Sequence, residues 1–189
     1  MLVGILALQG DFFEHANTIE LLNINYKLIK KDADLMNIDC LILPGGESTA
    51  MNIIQKDNKL FMHLKELINT GIPALGTCAG AILLSSEVLN SDIDSLNVLD
   101  VTIERNAYGR QNESFEANVS IDSLPKEKYC FIRAPKFNNL GRDVEIIAKY
   151  NNEPVGVRQN NIVGFTFHPE LTPSPNYLNW LSFFLKGSS

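Results

Sequence analysis

The chain has 189 residues, enough for one domain with a sizeable core, and its 45% hydrophobic and 20% charged content is ordinary for a globular protein. A formal net charge of -6 argues against nucleic acid or an anionic membrane as the main partner, and no apolar run approaches the roughly 20 residues that span a bilayer. Three cysteines (Cys40, Cys78, Cys130) without paired spacing give neither a disulfide framework nor a metal-ligand cluster, so no metal and a reducing cytoplasmic setting are expected.

Residues 2–8 form a near-continuous apolar run, the pattern of a strand buried on both faces of a parallel sheet. Without a basic flank or a cleavage site the run does not read as a signal peptide. Gln9-Gly10 makes the turn. Asp11, with Glu14 three residues on, reads as a capping box for a helix on which Phe12, Ala16, Ile19 and Leu22 recur at helical spacing. His15 lies on this helix and is expected at its surface or packed at its end. Residues 26–30 read as a more exposed strand and 40–43 as a buried one. Pro44-Gly45-Gly46 stops that strand, and Ser48 or Thr49 caps a helix through Met51 and Ile54. A further helix over 60–69 carries Leu60, Leu64, Leu67 and Ile68 on one face and ends at Gly71-Ile72-Pro73. His63 falls off that face and is expected in solvent.

The stretch Leu75-Gly76-Thr77-Cys78-Ala79-Gly80 followed by Ala81-Ile82-Leu83-Leu84 reads as strand, tight turn, helix. The helix start aims free backbone N–H groups and a partial positive charge at Cys78, which favours an anionic sulfur. Glycine-x-nucleophile-x-glycine between strand and helix is the nucleophile-elbow pattern, here with cysteine. Taken alone, the stretch also fits a small buried cysteine in a glycine-rich turn. Cys40 and Cys130, beside apolar strand-like runs, are expected to be buried and inert.

The first 85 residues thus repeat strand, loop, helix, the pattern of an α/β domain with a parallel sheet, in which ligands bind outside the carboxyl ends of the strands. After Ser91 the pattern changes. Residues 98–104, 115–121, 129–132, 144–150 and 154–158 read as strands separated by turn-rich pieces such as 106–112 and 138–141, and part of this half extends the sheet in an antiparallel or mixed way. Residues 163–167 form a last strand with His168-Pro169-Glu170 at its end, and 177–185 a closing helix. No internal repeat or linker appears, so a single domain over 1–189 is expected.

Cys78 needs a base, and of three histidines only His168 stands in a strand-end loop. On an extended backbone residues i and i+2 share a side, so Glu170 can reach one ring nitrogen while the other faces Cys78. That is nucleophile, base and orienting acid in cysteine form. Acyl transfer also needs donors for a developing oxyanion. Candidates are the backbone N–H groups of Ala79, just after the nucleophile, and of Gly46, where no Cβ blocks approach.

These segments, with Leu6-Ala7-Leu8-Gln9-Gly10, Pro44-Gly45-Gly46-Glu47-Ser48-Thr49, Glu104-Arg105-Asn106, Gly109-Arg110-Gln111, Phe131-Ile132-Arg133-Ala134-Pro135 and Phe167-His168-Pro169-Glu170-Leu171, resemble the class I triad glutamine amidotransferases. More narrowly, the chain resembles the glutaminase subunits of pyridoxal 5'-phosphate synthase, the PdxT family, nearly end to end. The resemblance implies a flavodoxin-like three-layer α/β sandwich with a mostly parallel central sheet and extra antiparallel strands in the second half. It also implies hydrolysis of L-glutamine to glutamate and ammonia through Cys78, His168 and Glu170, with Gly46, Glu47, Ser48, Arg105, Ile132 and Arg133 contacting glutamine and Gln9 near the oxyanion loop. It implies further that the ammonia passes to a (β/α)8-barrel synthase subunit in an assembly of twelve plus twelve subunits for vitamin B6 biosynthesis, that this partner switches the glutaminase on, and that the chain needs no cofactor. Ala107 and Tyr108 stand where Ser and Phe are commoner in the family, Lys136 stands where His is frequent, and the segment after Leu171 lacks a frequent acidic pair. Competing readings are an amidotransferase subunit for histidine or aminobenzoate synthesis, and a non-catalytic binding module on the same fold.

Overall fold

The computed structural model describes residues 1–46, 58–107 and 114–187. The apolar runs become β1 (Leu2–Leu6), β3 (Cys40–Leu43), β4 (Ala74–Thr77) and β12 (Ile162–Phe165), with the more exposed β2 (Asn25–Ile29) at one edge. These five run parallel. β11 (Glu153–Gln159) pairs antiparallel with β12, and β10 (Glu145–Tyr150) antiparallel with β11, giving a seven-stranded sheet in the order β10-β11-β12-β4-β3-β1-β2.

The register explains why these strands are apolar at every position. Leu28, Ile5, Ile42, Leu75 and Val163 are successive partners across the five parallel strands, so they line one face in a single row. That face is covered by α1 (Phe12–Leu21) through Ala16 and Ile19, and by α4 (Pro175–Leu185) through Tyr177, Leu181 and Leu185. The hairpin of β7 (Ser114–Val119) and β8 (Glu127–Ile132) joins them through Ala117, Val119, Tyr129 and Phe131. Leu41, Leu43 and Ala74 point the other way, towards Leu60, Leu64 and Ile68 of α2 (Asn58–Asn69) and the wholly buried α3 (Ala79–Leu84). A three-stranded sheet of β5 (Ser85–Leu89), β6 (Leu99–Glu104) and β9 (Lys136–Leu140) closes that side with Val88, Leu99, Val101, Ile103 and Phe137. Each large aliphatic side chain so buried contributes about 1.5–3 kcal/mol. No helix among the described residues is long and apolar enough to cross a membrane.

The mostly parallel, helix-flanked sheet is the expected class, and several local expectations are corrected. The elbow helix is only six residues long and passes directly into β5, a strand the sequence did not reveal; Ser85, its C-cap, is extended and donates its hydroxyl to the Ile82 carbonyl at 2.7 Å. Residues 138–140, read as a turn, belong to β9, whose pairing with β6 overrides the weak strand preference of two asparagines. β12 stops at Phe165 rather than Phe167. Asp11 is the N-cap residue of α1, but its side chain makes no capping hydrogen bond. The helix expected through Met51 and Ile54 lies outside the described residues. The closing helix starts two residues early, with Pro175 in its first turn and the Ser174 hydroxyl accepting the Tyr177 N–H at 3.1 Å.

Leu75 sits fully buried at the centre of the row, whereas Leu21 at the end of α1 is 60% exposed. Leu75→Ala is expected to lower the unfolding free energy by about 2–5 kcal/mol and Leu21→Ala by less than about 0.5 kcal/mol, as read from urea denaturation midpoints.

Candidate functional site

β4 lies between β3 and β12, with β1 beyond β3, and all four run the same way. The segments that leave them therefore meet at one edge of the sheet: Gln9 to Asp11 after β1, Pro44 to Gly46 after β3, Cys78 after β4 and His168 after β12. This is the carboxyl edge, where open α/β sheets form their ligand crevices.

Cys78 stands alone between β4 and α3, with φ 48° and ψ -104°. A non-glycine residue in such a conformation costs about 1–3 kcal/mol and persists only where its surroundings force it. Here the Cys78 N–H donates to the Phe165 carbonyl at 2.8 Å, continuing the pairing with β12, while its own carbonyl accepts the Ile82 N–H at 3.2 Å and begins the helix. The chain turns from one hydrogen-bonding scheme to the other within a single residue. Gly80 makes the turn possible, since a Cβ there would lie 1.8 Å from the Leu43 carbonyl oxygen. The Cys78 side chain is buried, and its thiol donates to the Ile132 carbonyl at 3.6 Å.

His168 is brought alongside by β8, its N–H donating to the Cys130 carbonyl at 2.9 Å as an isolated antiparallel bridge. Its Nδ1 lies 2.9 Å from Glu170 Oε1 and 3.1 Å from Asp11 Oδ2. With Nδ1 so occupied, Nε2 is the nitrogen left for the neighbouring Cys78. Among the described residues it is buried without a hydrogen-bond partner. Glu170 reaches the ring by a different route from the one the sequence suggested. Residues Pro169–Leu171 form a single 3-10 turn rather than an extended segment, and the turn folds the carboxylate back under the imidazole.

The pair is strongly polarised. Burial opposes a charge on His168, but the neighbouring Asp11, Cys78 and Glu170 outweigh it and hold the imidazole's pKa well above its ordinary value. Burial likewise opposes the Glu170 anion, and the adjacent His15 and His168 rings outweigh it, so the carboxyl stays well below the usual carboxylate range. Asp11, His168 and Glu170 offer three potential ligand atoms within 4.8 Å of one another. The Nδ1–H donor between two carboxylates accounts for that arrangement without a cation.

Three residues here were missed or misassigned in the sequence. Asp11, read as a helix cap, turns its carboxylate to His168 instead. His15, expected at the helix surface or end, is fully buried, with Nε2 at 3.0 Å from Thr77 Oγ1 and 3.4 Å from Glu170 Oε1. The signal was present, because His15 and Ile19 are four residues apart and so share the buried face. Thr77 lies two residues beyond Leu75 on β4 and so faces α1, where a hydroxyl must find polar partners.

Of the other residues singled out in the sequence, Gly46 and Ala79 line one cleft with Leu8, Gln9, Gly45 and Gly80. A Cβ on Gly45 would fall 2.4 Å from His168 Cε1, so the β3 loop packs directly on the imidazole. Ile132 ends β8 with its carbonyl on the Cys78 thiol, and Arg133 follows at φ 43°, exposed. Arg105 is half-buried in the turn after β6. Glu47 and Ser48 lie outside the described residues. Cys40 is buried, its thiol donating to the Leu185 carbonyl at 2.9 Å and pushed up to about 11 by burial. Cys130, expected to be buried, is only partly so, because it lies on the hairpin's outer side. His63 is exposed, as expected, and is paired with Asp32.

The chain is 47% identical over 173 residues to the pyridoxal 5'-phosphate synthase subunit PdxT of Thermosipho africanus, covering 91% of this chain and 92% of that one. It is 47% identical over 174 residues to the PdxT subunit of Thermotoga maritima, covering 91% and 93%. A crystal structure of a glutamine amidotransferase superposes with a TM-score of 0.90 at 39% identity over 98% of both chains. The model of the SNO glutamine amidotransferase family matches residues 5–186, and the chain belongs to that family.

Proposed function

We propose that the chain is the glutaminase subunit of a pyridoxal 5'-phosphate synthase, releasing ammonia from L-glutamine for a (β/α)8-barrel synthase subunit. The observation that carries this reading is the buried sequence of contacts from Glu170 Oε1 to His168 Nδ1, with the opposite ring nitrogen left for the sulfur of Cys78. The relatives named as subunits of that synthase supply the pathway. Assembly with twelve barrel subunits and a cytoplasmic setting belong to the same proposal, as does the treatment of residues 1–189 as a single domain.

In this mechanism Cys78 Sγ attacks the side-chain amide carbon of glutamine. The carbonyl oxygen becomes an oxyanion facing the Ala79 and Gly46 N–H groups. His168 holds the thiol proton and delivers it to the departing nitrogen, so that ammonia leaves and a γ-glutamyl thioester remains. His168 then takes a proton from water, the resulting hydroxide attacks the thioester carbon, and the tetrahedral intermediate collapses to glutamate with the thiol restored. Glu170 keeps the proton on Nδ1 throughout and stabilises the imidazolium. Gly46, Glu47, Ser48, Arg105, Ile132 and Arg133 are the proposed glutamine contacts. Guanidinium groups suit the α-carboxylate, and the Glu47 carboxylate suits the α-ammonium.

The test is ammonia release from glutamine by the chain alone and with the barrel subunit. Release that depends on, or rises with, that partner supports the reading; release unaffected by it points to another amidotransferase pathway, and none in either condition leaves a binding module. Cys78→Ala is expected to abolish turnover while leaving the melting temperature and partner binding in place, checked by ammonia assay beside co-sedimentation.

Glu170 gives a second expectation. Its folded pKa lies below its unfolded value, so its contribution to stability is complete above the ordinary carboxylate range and is lost progressively as pH falls below it. Glu170→Gln is therefore expected to cost about 3–5 kcal/mol at neutral pH. The gap to the unsubstituted chain should narrow on acidification towards pH 3. Denaturation curves at a series of pH values measure it, and a gap that widens in acid contradicts the buried anion.

A further inference from the structure

Behind the cysteine–histidine pair lies a second layer of polar groups that the mechanism above does not use. Thr77 Oγ1 is fully buried and has three neighbours: the Gly45 N–H at 3.1 Å, His15 Nε2 at 3.0 Å and Glu170 Oε1 at 3.3 Å. A hydroxyl has one proton to give and two lone pairs to receive. The Gly45 N–H fills one lone pair. An anionic Glu170 only accepts, so the hydroxyl proton goes to Oε1. The remaining lone pair then takes a proton from His15, which requires that Nε2 carry a hydrogen, an assignment made by the network. All three bonds are satisfied in one arrangement and in no other that keeps Glu170 charged.

The geometry points to Thr77 as a positioning residue for the glutaminase reaction, its hydroxyl holding the Glu170 carboxylate in the orientation that aims His168 while anchoring the Gly45 N–H of the loop that carries the oxyanion donor, with His15 holding the hydroxyl in turn. This rests on the glutaminase reading and deepens it. The direction of every bond is set: His15 Nε2–H to Thr77, Thr77 O–H to Glu170, His168 Nδ1–H to Glu170. Donation from two sides to Oε1 ties the carboxylate to the imidazole, and among the described residues the titratable groups facing His168 are Glu170, Asp11 and Cys78. Thr77 itself is fully buried, so it acts through its neighbours rather than on the substrate.

The experiment measures steady-state ammonia release from L-glutamine, with the barrel subunit present, for the unsubstituted chain, Thr77→Val, Thr77→Ser and His15→Phe. Thr77→Val keeps the branched shape and removes the hydroxyl. It is expected to lower kcat roughly 10- to 100-fold, the range seen when outer partners of an oriented histidine are lost or a reacting group is misplaced, with KM for glutamine close to its original value. Thr77→Ser restores the hydroxyl and is expected to recover most of that loss. His15→Phe cuts the same chain one step earlier and gives a loss of the same kind, and the Thr77→Val/His15→Phe pair is expected to cost no more than the worse single change. If Thr77→Val does not fold, the comparison of Thr77→Ser with His15→Phe decides. Unchanged kcat in Thr77→Val or, should that variant not fold, in His15→Phe overturns the inference. So does a loss in Thr77→Ser equal to that in Thr77→Val, which makes side-chain volume the cause. An unsubstituted chain that releases no ammonia sinks the glutaminase reading first and is told apart at once from these outcomes.

Discussion

A carboxylate with no solvent exposure is the constraint around which this molecule is arranged. Glu170 cannot be left charged in the interior without partners, because the desolvation cost of an isolated anion far exceeds what a domain's stability can absorb. Its partners come from three elements. His168 arrives from the end of β12, His15 from α1 and Thr77 from the end of β4. Asp11, at the start of α1, adds a second carboxylate to the same imidazole nitrogen and is itself partly solvated, which keeps its own charge inexpensive. The consequence is an imidazole whose Nδ1 proton is held from two sides. Among the described residues, the neighbour left for its other nitrogen is the sulfur of Cys78.

The parallel sheet makes this convergence possible. Strands that run the same way deliver their following loops to one edge, and the order β12-β4-β3-β1 places the histidine, cysteine, glycine-loop and aspartate segments side by side. The sheet can hold a strained residue at that edge because it is packed on both faces, with Leu75 and Ile42 on one side and Leu41 and Leu43 on the other fully buried. Cys78 is fixed by a strand hydrogen bond before it and a helix hydrogen bond after it, and the energy stored in its backbone is small beside the burial that enforces it.

Much of this could be read in the chain, and the failures have physical causes. Continuous apolar strands, glycines flanking Cys78 and the tripeptide His168-Pro169-Glu170 are local signals whose meaning does not depend on distant residues. The class of fold therefore emerged from them, and Cys78, His168 and Glu170 emerged as a candidate site. Asp11 was misassigned because a residue at a helix start has a local role on offer, capping, and only the tertiary position of His168 reveals that its side chain is used elsewhere. His15 was misassigned because a histidine on an amphipathic helix is ambiguous until the partner behind it is known, although its spacing from Ile19 placed it on the buried face. β9 was hidden by Asn138 and Asn139, which prefer turns; edge pairing with β6 supplies what local propensity withholds. The contact between Glu170 and His168 was anticipated, but through an extended backbone, and proline in fact starts a 3-10 turn that achieves the same approach.

The His168 imidazole and the Gly45–Gly46 segment have their supports in common. Gly45 donates its N–H to Thr77, its carbonyl accepts the Asp11 N–H at 3.2 Å, and its α-carbon packs so closely on His168 that no side chain fits between them. Thr77 and Asp11 are also the residues that hold Glu170 and His168. A displacement of the Gly45–Gly46 segment therefore cannot leave the imidazole's surroundings unchanged, and a rotation of the imidazole cannot leave Gly45 in place, because close-packed interiors shift between discrete arrangements rather than deforming smoothly. Physical linkage of this kind needs no long pathway, since every member touches the next. It makes the orientation of the His168 imidazole and the position of the Gly45–Gly46 segment two aspects of one packing arrangement, in which Gly45 is a glycine chiefly because of the histidine beside it.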